Sequence, residues 1–364
     1  MRVLFVTRPD ASTRFGGDTV LARQTLDTVR ECGIEADFVE TADPQARGYD
    51  IAHIFNVGQP EVCRRQIDAC AAAGVPVALS PVWLDLTEYF GRAHAQERAF
   101  FGSRTAPAAL AALQRISKSS DAALLNPKDR KMLAERHAQQ SDLLRAACVL
   151  LPNSAIEGRD CLVKLGVREV PLVIVPIPAD LEPATAWQEE RKGLLTVGRV
   201  ETRKNQAGLL FALRDEPCSI DIVGAAYQAD LVGVCRRFCP RAVFHGRLPR
   251  QQVLERLGRA EVHALVSWCE TAGIASLEAA AAGAKIVVGD RGAEVEYFGD
   301  DAEYADPADS ESIRAAVRRA FARPARFRGD SLDQRIRRIT WRQSAQEVLR
   351  AYQRGLGRQE RGMN

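Results

Sequence analysis

The strongest constraint on this chain is a rhythm that it runs through twice. Short apolar runs, loops carrying glycine and amphipathic stretches follow one another from the first residues. After one proline-rich, charged break the order starts again. In the first half, Arg2–Thr7 reads as a buried strand. A loop follows that ends in Gly16-Gly17, then Asp18-Thr19 as a helix cap, and a helix with Val20, Leu21, Leu26 and Val29 at helical spacing that stops at Gly33. Further strands are expected at 36–40, 50–56 and 75–79, with a helix over 63–73. From Leu86 to Ala147 the pattern becomes polar and helical without strands, which reads as a helical insertion. A strand over 148–152, a helix over 155–165 and a strand over 173–176 close this half.

The break is Pro176–Lys192, with three prolines and the run EERK, and it reads as a linker. Beyond it strands are expected at 194–197, 219–223, 242–245, 262–267 and 285–288. Helices are expected at 207–213, 251–259, 274–282 and 310–321. Strands alternating with helices imply parallel βαβ units. Two such series give an α/β protein of two Rossmann-like doubly wound domains facing a cleft, where a ligand is expected. The expected division is 1–178 for the first domain with its insertion at about 86–147, 179–340 for the second, and 341–364 for a terminal helix. With 364 residues the chain is long enough for two cores.

Composition narrows the function classes. Hydrophobic residues make up 46% and charged residues 27%, and no run of 18 apolar residues occurs. The N-terminal MRVLFVTRPD has too short an apolar run for a signal peptide and reads as the first strand. The 50 basic and 47 acidic residues are dispersed, so no nucleic-acid partner is expected. The densest basic stretch, Arg314–Arg338, reads as a solvated helical face, with peripheral contact to anionic lipid as the functional alternative. Nine cysteines without a C-x-x-C pair argue against a disulfide framework or a zinc site. They point to a reducing, cytoplasmic compartment.

Two segments of the second half carry chemistry. In SWCETAGIASLEAAAAGAKIVV, Ser267–Val288, the glutamates Glu270 and Glu278 flank a helix start opened by Gly273. If both lay on one helix, eight steps would separate them by about 12 Å along its axis. Glu270 is therefore expected in the loop and Glu278 inside the helix. The amides at that helix start suit a diphosphate, and Glu278 can accept from two ribose hydroxyls. In LLTVGRVETRKNQ, Gly198 and Arg199 end the first strand and Lys204 follows five residues later. The two cations fit a diphosphate at the carboxyl end of a parallel sheet. The bland readings are two surface glutamates and a solvated basic loop.

The second half, from Leu194 to Glu296, resembles the retaining GT-B glycosyltransferases of family 4. The likeness runs through VGRVETRKNQ, HGRLP, the E-x7-E segment and GAEVE, and extends to WRQSAQEVLRAY, Trp341–Tyr352. The first half matches more loosely, through its first strand, Gly16-Gly17 and LPNS. The resemblance implies a nucleotide-sugar donor and a glycan or lipid-linked acceptor. Arg199 and Lys204 would bind the donor diphosphate, Glu278 the ribose and Glu270 the sugar. Gly246, Arg247 and Leu248 would line the base pocket. The backbone of Gly273, Ile274 and Ala275 would meet the phosphates, and Gly16 and Gly17 would let the loop approach the donor.

The chain also departs from that family. Thr271-Ala272 stands where Gly-Phe is common, and Lys285 where proline is. The loop Ser80–Asp85 lacks the family's histidine, which leaves His53, Trp83 and Asp85 as acceptor-side candidates. No D-x-D-type metal site stands out, so no essential metal or other cofactor is expected. An NAD-dependent dehydrogenase is disfavoured because no G-x-G-x-x-G follows the first strand. A GT-B epimerase or phosphorylase, and a non-catalytic scaffold, are the remaining alternatives. The alanine- and arginine-rich composition with the resemblance suggests bacterial surface polysaccharide assembly.

Overall fold

The structure is a computed structural model that describes residues 1–13, 16–179 and 190–362. The chain forms two compact units. One holds Met1–Leu84, Lys131–Pro178 and Ile339–Asn364, and the other Asp85–Arg130 and Ala179–Arg338. Most of the linker expected at Pro176–Lys192 lies outside the described residues.

The first unit begins with β1 (Arg2–Thr7), α1 (Gly17–Glu31), β2 (Glu35–Glu40), β3 (Ile51–Phe55), α2 (Pro60–Ala72) and β4 (Val77–Ser80). The buried face of α1 includes Leu21, Ala22, Leu26 and Val29, with each buried leucine or valine contributing about 1.5–3 kcal/mol. The helix starts just before the expected cap. Gly16 is its N-cap, and Asp18 instead accepts from Arg8 Nε at 3.0 Å and Asn56 Nδ2 at 2.8 Å.

The chain then enters the other unit. A π-helix at Tyr89–Ala93 leads into α3 (His94–Gly102), α4 (Ala106–Ser117), α5 (Asp121–Leu124) and the start of α6 (Pro127–Ala146). This corrects the expected insertion. Its first part, Asp85–Arg130, packs with the second unit, because Phe100, Ala109 and Leu113 enter that unit's core beside Phe211 and Phe238.

The first unit resumes with β5 (Val149–Leu150) and α7 (Ala155–Lys164), giving a five-stranded parallel sheet of order β2-β1-β3-β4-β5. The strand expected at 173–176 is not formed. Leu172 makes a single bridge to Leu150, and Pro171 and Pro176, lacking N–H donors, bracket the segment.

The second unit continues with β6 (Leu194–Val197), α8 (Gln206–Ala212), β7 (Ile220–Val223), α9 (Ala229–Phe238), β8 (Val243–Phe244), α10 (Arg250–Arg259), β9 (Val262–Leu265), α11 (Ile274–Ala281), β10 (Lys285–Gly289), α12 (Glu294–Phe298), β11 (Glu303–Ala305), α13 (Ser310–Ala322) and α14 (Ser331–Arg337). Its sheet is parallel, of order β11-β10-β9-β6-β7-β8. The terminal helix α15 (Trp341–Gly362) belongs to the first unit and packs against α1.

The basic stretch is largely neutralised within the fold. Arg318, Arg319, Arg323, Arg326, Arg335 and Arg337 are each paired to a carboxylate. All nine cysteines are free, and all but Cys32 and Cys218 are buried. Among the described residues no helix is long and apolar enough to cross a membrane.

Candidate active site

The carboxyl ends of the second unit's strands carry a charged cluster. Gly198 ends β6, and beyond it the loop 199–205 bears Arg199, Glu201, Arg203 and Lys204. The strand ends of β6 and β7 pass so closely that a Cβ on Gly224 would stand 1.9 Å from the Gly198 carbonyl oxygen. Only glycine fits there. Arg199 lies 4.9 Å over the Tyr227 ring and 3.5 Å from Glu201, with about a third of its side chain exposed at 34%.

Lys204 and Arg203 converge on Glu270, which leaves the end of β9. The Lys204 ammonium is in direct hydrogen-bond contact with the Glu270 carboxylate, and Arg203 Nη1 lies 3.5 Å away. Arg203 also donates to the Cys269 carbonyl at 3.1 Å and to Glu201 at 2.9 Å, tying the two loops together. Burial opposes the Glu270 charge, but Lys204 and Arg203 outweigh it and hold the carboxyl below its ordinary range. Burial likewise opposes the Arg203 charge, and Glu270 and Glu201 hold the guanidinium well above its usual value.

Gly273 caps α11 at φ +62°, so Glu270 precedes the helix and Glu278 lies within it. Glu278 is 6% exposed and accepts from Arg250 Nη1 at 2.7 Å. Ile274 and Ala275 form the first turn of α11 and are half-buried. Gly246 follows β8 at φ +67°, exposed with Arg247, while Leu248 is half-buried.

Sequence reasoning missed two members of this cluster. One is Arg203, the brace between the loops. The other is Glu294, at the start of α12. It is 1% exposed, and neither carboxyl oxygen has a hydrogen-bond partner of normal geometry. Its Oε1 would stand 2.4 Å from a Cβ on Gly273, so glycine is required there both for the positive φ and for this approach. Burial, and then the nearby Glu270 charge, push the Glu294 carboxyl well above the ordinary range. Lys204 and the Ser276 side chain favour its charged form only weakly against these, and a buried carboxyl so poorly satisfied costs stability, which marks it as a functional candidate. GAEVE offered the only signal, and its two glutamates look alike in sequence.

The first unit treats its candidates differently. His53 is 1% exposed, its Nδ1 pairs with the Tyr352 hydroxyl at 2.8 Å and its Nε2 with Ser80 Oγ at 2.9 Å. It stacks on Phe55 at 4.1 Å, and burial lowers its pKa to about 3. His53 is thus a core residue under α15, which corrects its acceptor-side placement. Trp83 is corrected in the same way. It is 5% exposed, and its indole donates to Gln140 Oε1 at 3.1 Å. Asp85 belongs to the second unit and accepts from the Thr87 amide at 2.9 Å, shaping the turn into the π-helix.

What the first unit does present at its strand ends is Arg8, held between Asp10 at 2.6 Å and Asp18 at 3.0 Å, with Asn56 at φ +75° beside them. Gly16 and Gly17 adjoin this network. Val82, just after β4, has φ +45°, a strained value for a β-branched residue. Among the described residues no three histidine, cysteine or acidic side chains come together as a metal cage.

Two parallel α/β units with charged loops at the carboxyl ends of their strands define the class: this is the GT-B fold of two-domain glycosyltransferases. Residues 179–338 match the family model described as glycosyl transferases group 1. Among solved structures, the chain is similar to sucrose-phosphate synthase from Thermosynechococcus elongatus, at 14% identity over 97% of this chain and 98% of that one, with a TM-score of 0.73. It is also similar to HepE of Anabaena in complex with UDP and glucose, at 13% identity over 96% and 98%, TM-score 0.66. A third likeness is to the lipopolysaccharide outer core galactosyltransferase WaaB, at 13% identity over 96% and 99%, TM-score 0.61. No curated protein sequence matches the chain.

Proposed function

We propose that the chain is a retaining hexosyltransferase of family 4 that moves a sugar from a nucleotide-diphosphate sugar to a glycan or lipid-linked acceptor. The observation that carries this reading is the convergence of Lys204 and Arg203 on Glu270 beside the start of α11, with Arg199 on the same loop. The group 1 family match over the unit that holds these residues supports it, as does the likeness to a protein solved with UDP and glucose.

In this reading negative charge grows on the departing diphosphate as the anomeric carbon takes on oxocarbenium character. Arg199, Lys204 and the free amides of Gly273, Ile274 and Ala275 stabilise that charge in place, without reorganisation at the moment of reaction. Lys204 exchanges its carboxylate partner for the diphosphate, which releases Glu270 to sugar hydroxyls. Glu278 holds the ribose, and the turn Gly246–Leu248 borders the base. Burial and the Glu270 charge raise the Glu294 carboxyl well above its ordinary range, which favours its uncharged form beside Glu270. The acceptor hydroxyl attacks from the face the diphosphate leaves, so configuration is retained. No resident metal or other cofactor takes part.

The setting proposed is the assembly of a bacterial surface polysaccharide in the cytoplasm, at the inner face of the membrane. The likeness to a lipopolysaccharide galactosyltransferase supports this setting. Incubation of the protein with UDP-, GDP- and ADP-hexoses tests the activity by mass spectrometry. One donor is expected to release its nucleoside diphosphate, in the presence of a chelator as in its absence. The anomeric configuration of the transferred sugar then tests retention. If no donor is consumed under any condition, the chain is a scaffold that keeps the fold.

A further inference from the structure

The segment Asp85–Arg130 precedes the second unit's sheet by some distance in sequence, yet it touches both loops of the proposed donor site. The first contact is with the Lys204 loop. Glu97 of α3 accepts from the Thr202 hydroxyl at 2.5 Å and from Gln228 Nε2 at 3.0 Å, and Gln228 in turn accepts from the Thr202 amide at 2.6 Å. Gln96 donates to Asn205 Oδ1 at 2.8 Å. Asn205 holds φ +56° at the junction between the turn bearing Lys204 and α8, and donates to the Pro307 carbonyl at 3.0 Å. Lys204 therefore stands between two residues, at 202 and 205, that the arm grips.

The second contact is with the Glu270 loop and its neighbour. Ala93 of the π-helix packs with Trp268 and Ala308, and Tyr89 lies against them. Trp268 sits two residues before Glu270 and donates its amide to the Arg203 carbonyl at 2.9 Å. Glu88 takes Arg291 in a two-pronged ion pair, at 2.7 and 3.0 Å. Arg291 precedes Gly292, whose backbone pairs with Glu270. The arm is anchored independently of these contacts, through Phe100 in the core and through Arg237, which donates to the Ser103 carbonyl at 2.9 Å.

We infer that the arm is a working part of the donor site, with Glu97, Gln96 and Glu88 as positioning residues that fix the Lys204 and Glu270 loops. This rests on the glycosyltransferase reading of those loops. The physical ground is that loop residues gain effective rigidity only from what packs against them. In the loop 199–205, five of seven side chains are charged or amides, and its one aliphatic anchor, the buried Val200, lies on the near side of Thr202, Lys204 and Asn205. A π-helix at this place fits, since such turns recur where a helix is bent to present side chains to a site.

The test uses the full-length protein with three substitutions. Glu97→Ala removes the acceptor. Glu97→Gln keeps one acceptor oxygen of the same reach. Thr105→Ala weakens the N-cap of α4, on the arm but away from both loops, where Thr105 accepts from the Ala108 amide. Two readouts are taken. Amide hydrogen exchange over 199–206 reports the loop without any donor. Turnover and thermal stabilisation with UDP and UDP-glucose, and with the GDP-mannose and ADP-glucose pairs in parallel, report the site.

For Glu97→Ala we expect faster exchange over 199–206 and about a tenfold or greater fall in kcat/KM, the scale of one hydrogen bond to a charged group. Glu97→Gln restores most of both, and Thr105→Ala leaves both near wild type. The inference is overturned if Glu97→Ala leaves exchange and kcat/KM unchanged, or if Thr105→Ala produces the same losses. If exchange changes as expected but no nucleotide binds the wild-type protein, it is the glycosyltransferase reading that fails, and the role of the arm in donor chemistry falls with it.

Discussion

The two units are built from the same parallel βαβ rhythm, yet they use their polar residues in opposite ways. In the first unit the polar side chains that sequence singled out are satisfied and sealed. His53 spends both ring nitrogens on Tyr352 and Ser80, and Trp83 spends its indole on Gln140. In the second unit the strand ends gather charges that are buried against one another. Lys204 and Arg203 share Glu270, and Glu294 lies buried beside them with its carboxyl oxygens unsatisfied. Satisfied polar groups serve folding. Charges concentrated at cost, on loops held by a rigid sheet, serve binding.

The comparison breaks first, and with the largest effect, if Trp83 is not structural. Trp83→Ala should lower unfolding free energy by about 3–5 kcal/mol, measured by urea denaturation, because a large buried ring leaves a cavity. An unaltered midpoint with lost activity would move Trp83 into the site. Lys204→Ala should behave in the reverse way. It should reduce turnover by about 10²–10³-fold, the scale of one preorganised charge-stabilising donor. The fold should survive, since Arg203 remains beside Glu270.

A third test is the pH dependence of the first unit. Glu157 of α7 is buried and accepts the amides of Trp83 at 2.8 Å and Asn153 at 2.7 Å. Burial raises its pKa from 4.5 to about 7 despite those two bonds. The native state therefore holds a proton that the unfolded chain releases. Its stabilising contribution is full below about 4.5 and is lost as pH rises through about 7. His53 has the opposite sign, its pKa being depressed, so the readout is a difference. The stability of wild type minus that of Glu157→Gln should fall between those two pH values, by at most about 1.4 kcal/mol for each pH step of one. A flat difference would remove Glu157 as a buried acid.

The smallest effect is the most pointed. Glu294→Leu removes two unsatisfied buried oxygens and should raise the stability of the ligand-free protein by about 1–3 kcal/mol while lowering donor turnover. Loss of stability instead would show that Glu294 has a structural partner and belongs with the first unit's pattern.

Much of this was legible in sequence because it is local. Strand runs such as Leu194–Val197 and Val262–Leu265, the glycine that opens α11, and the placing of Glu270 outside and Glu278 inside that helix all follow from spacing and turn chemistry. What sequence did not convey depends on contacts distant along the chain. Nothing near Phe100 indicates that it inserts beside Phe211, so the arm's allegiance to the second unit was hidden. Glu294 and Glu296 share a surface-like pattern, and only the approach of Gly273 buries one of them. His53 looks like an acceptor-side candidate until Tyr352, at a separation of 299 residues, closes over it.

The most direct test is thermal stabilisation by a panel of nucleoside diphosphates and nucleotide-sugars, for wild type and Glu278→Ala. A ligand that binds the native state alone must raise the melting temperature. One base should stabilise the wild-type protein, and Glu278→Ala should abolish that shift while melting on its own near the wild-type temperature. If no nucleotide shifts the wild type, or if Glu278→Ala keeps the full shift, the strand ends of the second unit are not a donor site and the contrast between the two units has another cause.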